Sequence, residues 1–171
     1  MFISIGIDED GRPYITTSDG SREKVVRKGK GKSVIDFPST YTVLDIETTG
    51  LDPRYCEIIE ISAMKYSSGQ NIGTFSTLVK PSEPIDEYIT SLTGITNDML
   101  KSAPDISETM QKFYNFVGSD LIVGYNVNFD INFLYDNLLN CRSLILSNSF
   151  IDVMRNIGRA SCRERVFITI A

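Results

Sequence analysis

The chain has 171 residues, 42% hydrophobic and 23% charged, which is enough to bury the core of one domain and too ordinary for a disordered or fibrous protein. Its net charge of −5 removes any global basic footprint, so contact with nucleic acid would have to rest on local basic patches or bound metal cations. Histidine is absent, which excludes His-based catalysis and His-ligated zinc from this chain as written.

In chain order, Phe2–Ile7 and Tyr14–Thr17 are predicted as two short strands joined by the turn-rich DEDGRP, a small hairpin. SREKVVRKGKGK follows, with six basic residues between Arg22 and Lys32. It reads first as a solvated linker and second as a strip touching a phosphate backbone. Hairpin and linker are assigned to residues 1–37 and the main domain to 38–156. That domain opens with three predicted strands, Thr42–Glu47, Glu57–Tyr66 and Ile72–Lys80, the last two joined by the loop SSGQN. Short helices are predicted at Pro84–Leu92 and Asn97–Lys101. DISETMQKFYNFVG is a longer one, with Asp105 as N-cap, Glu108 as capping-box acid and Gly118 at the C-terminus. Leu121–Tyr125 reads as a strand. In NFDINFLYDNLL, Ile131, Leu134, Tyr135 and Leu138 recur at the spacing of a helix packed on a sheet. Phe150–Met154 is the last predicted strand. Three strands, then helices alternating with strands, make an α/β fold: a mixed sheet covered by helices.

The stretch YTVLDIETTGLDP places two acids on a strand that is otherwise apolar on both faces, and therefore central. Asp45 and Glu47 project to the same side, about 7 Å apart. Two bare carboxylates there would repel and resist desolvation, and a hard divalent cation removes that cost. Thr48, Thr49 and Gly50 turn the chain just beyond them and leave room for a ligand. Asp130, in VGYNVNFD, follows a strand and opens a helix. If Leu121–Tyr125 runs parallel beside Thr42–Glu47, Asp130 emerges near the same strand ends, where ligands of open α/β sheets gather. The bland role for Asp130 is a helix N-cap.

VLDIETTGL and VGYNVNFDINFL, with LTGIT (Leu92–Thr96) between them, resemble the motifs of the DnaQ-like (DEDD) 3′–5′ exonucleases, the family of the epsilon proofreading subunit of bacterial DNA polymerase III. The resemblance runs from about Tyr41 to Met154. Tyr125 departs from it, since many members have His before the Asn. The resemblance implies an RNase H-like fold and a two-metal mechanism using Mg²⁺ or Mn²⁺. Asp45 would bridge both ions, Glu47 would bind one and Asp130 would help hold the second. Thr48 and the turn Thr93, Gly94, Ile95 would contact the 3′-terminal nucleotide, with Leu92 or Ile95 against its base. Asn126 and Phe129 would position the backbone around the site, and Asp152 would be structural. The implied activity is release of nucleotides from a single-stranded 3′ end, of proofreading or repair type, with DNA as the expected strand. The implied partners are a DNA polymerase or helicase, and the implied location is cytoplasmic. The alternative from another class is a non-catalytic nucleic-acid- or polymerase-binding module, against which the intact acids argue.

The third motif of that family supplies a general base, His or Tyr, and a fourth Asp. After Asn140 this chain has neither base, and its only Asp is Asp152. IGRASCRERV back-translates to a string resembling a common sequencing adapter. Residues 157–171 are therefore expected to be a non-native tail on a truncated chain, a genuine basic tail being the alternative. An exonuclease lacking that motif is expected to be impaired.

Overall fold

The computed structural model describes residues 25–154, together with the backbone of two strands near the N-terminus. Those strands, β1 (Ser4–Ile7) and β2 (Pro13–Thr16), pair antiparallel in a two-stranded sheet. The expected tail at 157–171 lies outside the described residues.

The main sheet has five strands: β3 (Thr40–Thr48), β4 (Ile58–Ser67), β5 (Gln70–Leu78), β6 (Leu121–Gly124) and β7 (Phe150–Asp152). Their order is β5-β4-β3-β6-β7, which puts the acid-bearing β3 in the centre. β4 pairs antiparallel with β3 and β5, whereas β6 runs parallel to both β3 and β7. The parallel β3–β6 pairing, with Tyr41 opposite Leu121 and Val43 opposite Val123, is the one on which the placement of Asp130 depended. Register is pinned at the far end of the sheet. Thr42 Oγ1 donates to Asp120 Oδ2 (2.8 Å), which also accepts Lys65 Nζ (2.9 Å) from β4.

Two helices, α3 (Ile106–Val117) and α4 (Asn128–Arg142), join the main core with Leu44, Ile46, Ile58 and Ile61 of the sheet. They contribute Met110, Phe113 and Val117, and Ile131, Leu134 and Leu138. A second cluster sets Ile59 of β4 against Ile85, Ile89, Ile95 and Leu100, from or beside the short helices α1 (Glu87–Thr93) and α2 (Asn97–Leu100). Asp105 caps α3 as expected, accepting from Glu108 N (2.8 Å). Glu108 does not reach back as a capping-box acid. Its carboxylate takes Lys112 one turn on (2.6 Å), which is closer and oppositely charged.

The stretch before residue 38 departs from the linker expected of it. Arg27 forks onto Asp136 of α4 (2.7 and 2.6 Å), and Lys28 O accepts the Tyr135 hydroxyl (2.6 Å). Phe150 N donates to Lys32 O (3.0 Å) and Val34 N to Phe150 O (2.8 Å), with Ser33 bridged in parallel to Phe150. The segment from Arg27 to Val34 thus lies along α4 and extends the sheet past β7. The strand edge of β7 would otherwise present unpaired backbone groups, and this chain is the nearest thing able to pair with them.

Candidate active site

The site lies at the C-terminal ends of β3 and β6. Asp45 is exposed there, while Leu44 and Ile46 on either side of it are core. The register with β4 shifts between Glu47 and Thr48, so β3 bends away just after its second acid. Thr48 Oγ1 then donates to Gly50 O (2.7 Å), and Thr49 and Glu57 close the loop with Thr49 N to Glu57 O and Glu57 N to Thr49 Oγ1 (2.9 Å each). The TTG turn is therefore a hydrogen-bonded fold of its own, held at the mouth of the site.

Asp130 arrives from the other strand. The β3–β6 ladder runs from Tyr41 to Val43 on β3, and β6 ends at Gly124. Past that point the Ile46 amide lacks a strand partner on this edge. Asp130 Oδ1 accepts it instead (3.0 Å), placing the third carboxylate against the strand between Asp45 and Glu47. Gly124 allows the approach: a Cβ there would stand 2.7 Å from Leu44 O and 2.8 Å from Val127 Cγ2. The chain then turns through Asn126 in the left-handed region (φ 52°), whose N–H donates to Asp152 Oδ1 (3.0 Å). The bland role of helix N-cap does not fall to Asp130. Val127 occupies that position, and Asp130 falls within the first turn of α4.

Charge gathers accordingly. Asp130 is 4% exposed, and desolvation pushes its carboxyl up to about 8. The charges of Asp45 and Asp152 add to the rise, while bonds from its own amide and that of Ile46 oppose it. Burial also raises Asp45. Burial raises Glu47 first, and Asp45 and Glu60 push it the same way. Glu60 stands directly opposite Glu47 on β4. It was not singled out from the sequence, because its place depends on strand register.

A carboxylate set that disfavours its own ionisation matches the donor chemistry of a hard divalent cation. No three acidic or thiol side chains among the described residues are drawn together closely enough to hold an ion as they stand.

The expected substrate residues fall into two groups. Ile95, 3% exposed, belongs to the second core cluster, whereas Leu92, 68% exposed, is the exposed apolar side chain of that turn. Ile95 shares that cluster with Ile59, the chain neighbour of Glu60. Thr93 Oγ1 closes α1 on Ile89 O (2.9 Å), and Gly94 is its left-handed C-cap (φ 75°). Phe129 packs on the core, its ring 4.9 Å from that of Phe133, while Tyr125 is 64% exposed. A cavity of about 540 Å³, lined by Tyr114, Ser119, Ser147 and Asn148 among others, lies at the opposite end of the sheet.

Comparison with known proteins decides the family. The exonuclease model RNase_T matches residues 42–165, past the boundary expected at 156. The chain belongs to this exonuclease family. It is 40% identical over 123 residues to the PolC-type DNA polymerase III of Bacillus subtilis, covering 70% of this chain and 8% of that protein. To the PolC-type enzyme of Caldanaerobacter subterraneus subsp. tengcongensis it is 39% identical over 146 residues, 85% of this chain and 9% of that one. It therefore spans less than a tenth of the length of these relatives. The fold is also that of E. coli exonuclease I. An oligonucleotide complex of that enzyme superposes with a TM-score of 0.61 at 20% identity, covering 71% of this chain and 30% of the other. The exonuclease family fold is thus an α/β mixed sheet of RNase H-like type, with its DnaQ-like motifs at one end of β3 and β6.

Proposed function

We propose that this chain is the exonuclease domain of a metal-dependent 3′–5′ exonuclease acting on single-stranded DNA ends, of proofreading type. The observation that carries the reading is the insertion of Asp130 against Ile46, between Asp45 and Glu47. It brings three acids from two elements to one edge of β3. The DNA polymerase III context of the relatives and the oligonucleotide bound by exonuclease I support DNA as the strand. A polymerase is the partner that this context favours, and a cytoplasmic setting goes with it. No helix among the described residues is long and apolar enough to cross a membrane.

Asp45, Glu47 and Asp130 would hold Mg²⁺ or Mn²⁺, and such ions supply an activated water and a charge partner for the leaving oxygen. Asp45 is the ligand free to turn toward either side of the site, and Glu47 faces it on the same side of β3. Asp130 stays tethered to Ile46 N through Oδ1, leaving Oδ2 for a cation. Leu92 would rest its exposed side chain against the terminal base, and Thr48, at the head of the self-bonded TTG turn, would contact the nucleotide. Asn126 and Phe129 keep the loop before α4 in place through the turn and the core. After Asn140 the sequence given carries no His or Tyr to serve as the family's general base, and Tyr135, the last Tyr in it, is buried and bonded to Lys28 O. Loss of a general base costs about 10²–10⁴-fold in rate, so the chain as it stands is slow.

Thermal melts with and without Mn²⁺ test the site. The wild-type chain should melt higher with Mn²⁺, because a ligand bound only by the folded state stabilises it, and Asp45→Ala should lose most of that rise. An equal rise in both, or none in the wild type, defeats the reading. Release of mononucleotides from a labelled single strand should be slow, Mn²⁺-dependent and abolished by Asp45→Ala.

A further inference from the structure

Asp130 depends on the first turn of α4, and that turn lacks the usual fastener. Its N-cap, Val127, is in the helical region and makes no side-chain cap bond. Lys30 supplies one from outside. Its ammonium donates to Asn128 Oδ1 (2.6 Å) and Asn132 Oδ1 (2.5 Å), the residues two before and two after Asp130. Asn128, Asn132 and Asp136 recur every four residues, so they form one stripe along α4. The segment from Arg27 to Lys30 lies along that stripe, with Arg27 on Asp136 at the other end. Electrostatics of the helix alone would not put a cation there, since the N-terminus of a helix disfavours positive charge. Two asparagine oxygens account for it. Lys30 is held from its own side too, by the Phe150 ring 5.6 Å away and by the pairing of Lys32 and Val34 with Phe150.

We propose that Lys30 is a positioning residue for Asp130: it fixes the first turn of α4 so that the carboxylate meets the Ile46 amide in a geometry able to bind a cation. The proposal rests on the metal-site reading above. It also reassigns part of the basic segment, because Arg27 and Lys30 face the domain rather than a phosphate backbone.

Mn²⁺ affinity, read from the loss of the free-Mn²⁺ EPR signal on titrating the full chain, tests this without turnover. Lys30→Met should weaken Mn²⁺ binding about 10-fold or more, the usual cost of removing a group that orients a ligand. Lys30→Arg, whose fork can reach both asparagine oxygens, should restore most of it. Arg27→Gln loosens the same segment farther from Asp130; it should lower the melting temperature and leave the affinity unchanged. Unchanged affinity in Lys30→Met overturns the proposal, as does an equal loss in Arg27→Gln, which would mark a general loosening. Should Lys30→Met fail to fold, Asn132→Ala takes its place, with weaker Mn²⁺ binding expected and unchanged binding fatal. A wild-type chain that binds no Mn²⁺, or binds it as Asp45→Ala does, overturns the metal-site reading itself and this proposal with it.

Discussion

Asp130 is the residue at which the competing forces of the site meet. Burial raises its carboxyl to about 8 from an ordinary 3.8, against the bonds from its own amide and that of Ile46, with the charges of Asp45 and Asp152 adding to the rise. Between those two pH values the folded chain keeps a proton that the unfolded chain has released. Stability from this group is therefore greatest below about pH 4 and is lost as pH rises toward 8, with a slope of up to about 1.4 kcal/mol per unit. Asp45 and Glu47, also raised, act in the same direction. In EDTA the melting temperature should fall from pH 5 to pH 8. Asp130→Asn keeps an oxygen for Ile46 N but has no proton to lose, so its curve should be flatter. A wild-type curve as flat as the variant's would mean that Asp130 is not strained by its burial.

At the scale of elements, the segment from Arg27 to Val34 is the part whose role changes most. A run of Lys, Arg and Gly has no apolar period, so by pattern it is a linker; its partners are on α4 and β7, 98 or more residues away. Gly31 shows how close the contact is, since a Cβ there would stand 1.7 Å from Asn148 O. That atom is backbone and cannot step aside cheaply. Gly31→Ala should therefore unseat the segment and cost more than about 2 kcal/mol, well above a surface substitution. Urea unfolding followed by circular dichroism measures it; a loss within about 0.5 kcal/mol would show that the contact is dispensable.

For the molecule as a whole, the question is where the domain begins. Residues 38–171 make up less than 85% of the chain, so the match to the Caldanaerobacter relative takes in part of the N-terminal segment. Two shortened chains, one starting at Val25 and one at Pro38, separate the possibilities. The first should melt as the full chain does. The second loses the Arg27–Asp136 pair, the Lys30 bonds and the pairing beyond β7, and should melt several degrees lower. Equal melting of the two would return the boundary to residue 38.

The sequence by itself determined the sheet-and-helix order, the central place of β3, the Asp105 and Gly118 caps of α3 and the family, because these rest on local period, capping chemistry and contiguous motifs. It also singled out Asp45, Glu47 and Asp130, whose residue types make poor sense without a ligand. Only the tertiary structure decided which groups surround them. Glu60 reaches Glu47 through cross-strand register, Ile95 sinks into a core cluster while its neighbour Leu92 stays in solvent, and Lys30 crosses to α4. Each of these depends on pairings between residues far apart in the chain, which no window of sequence contains.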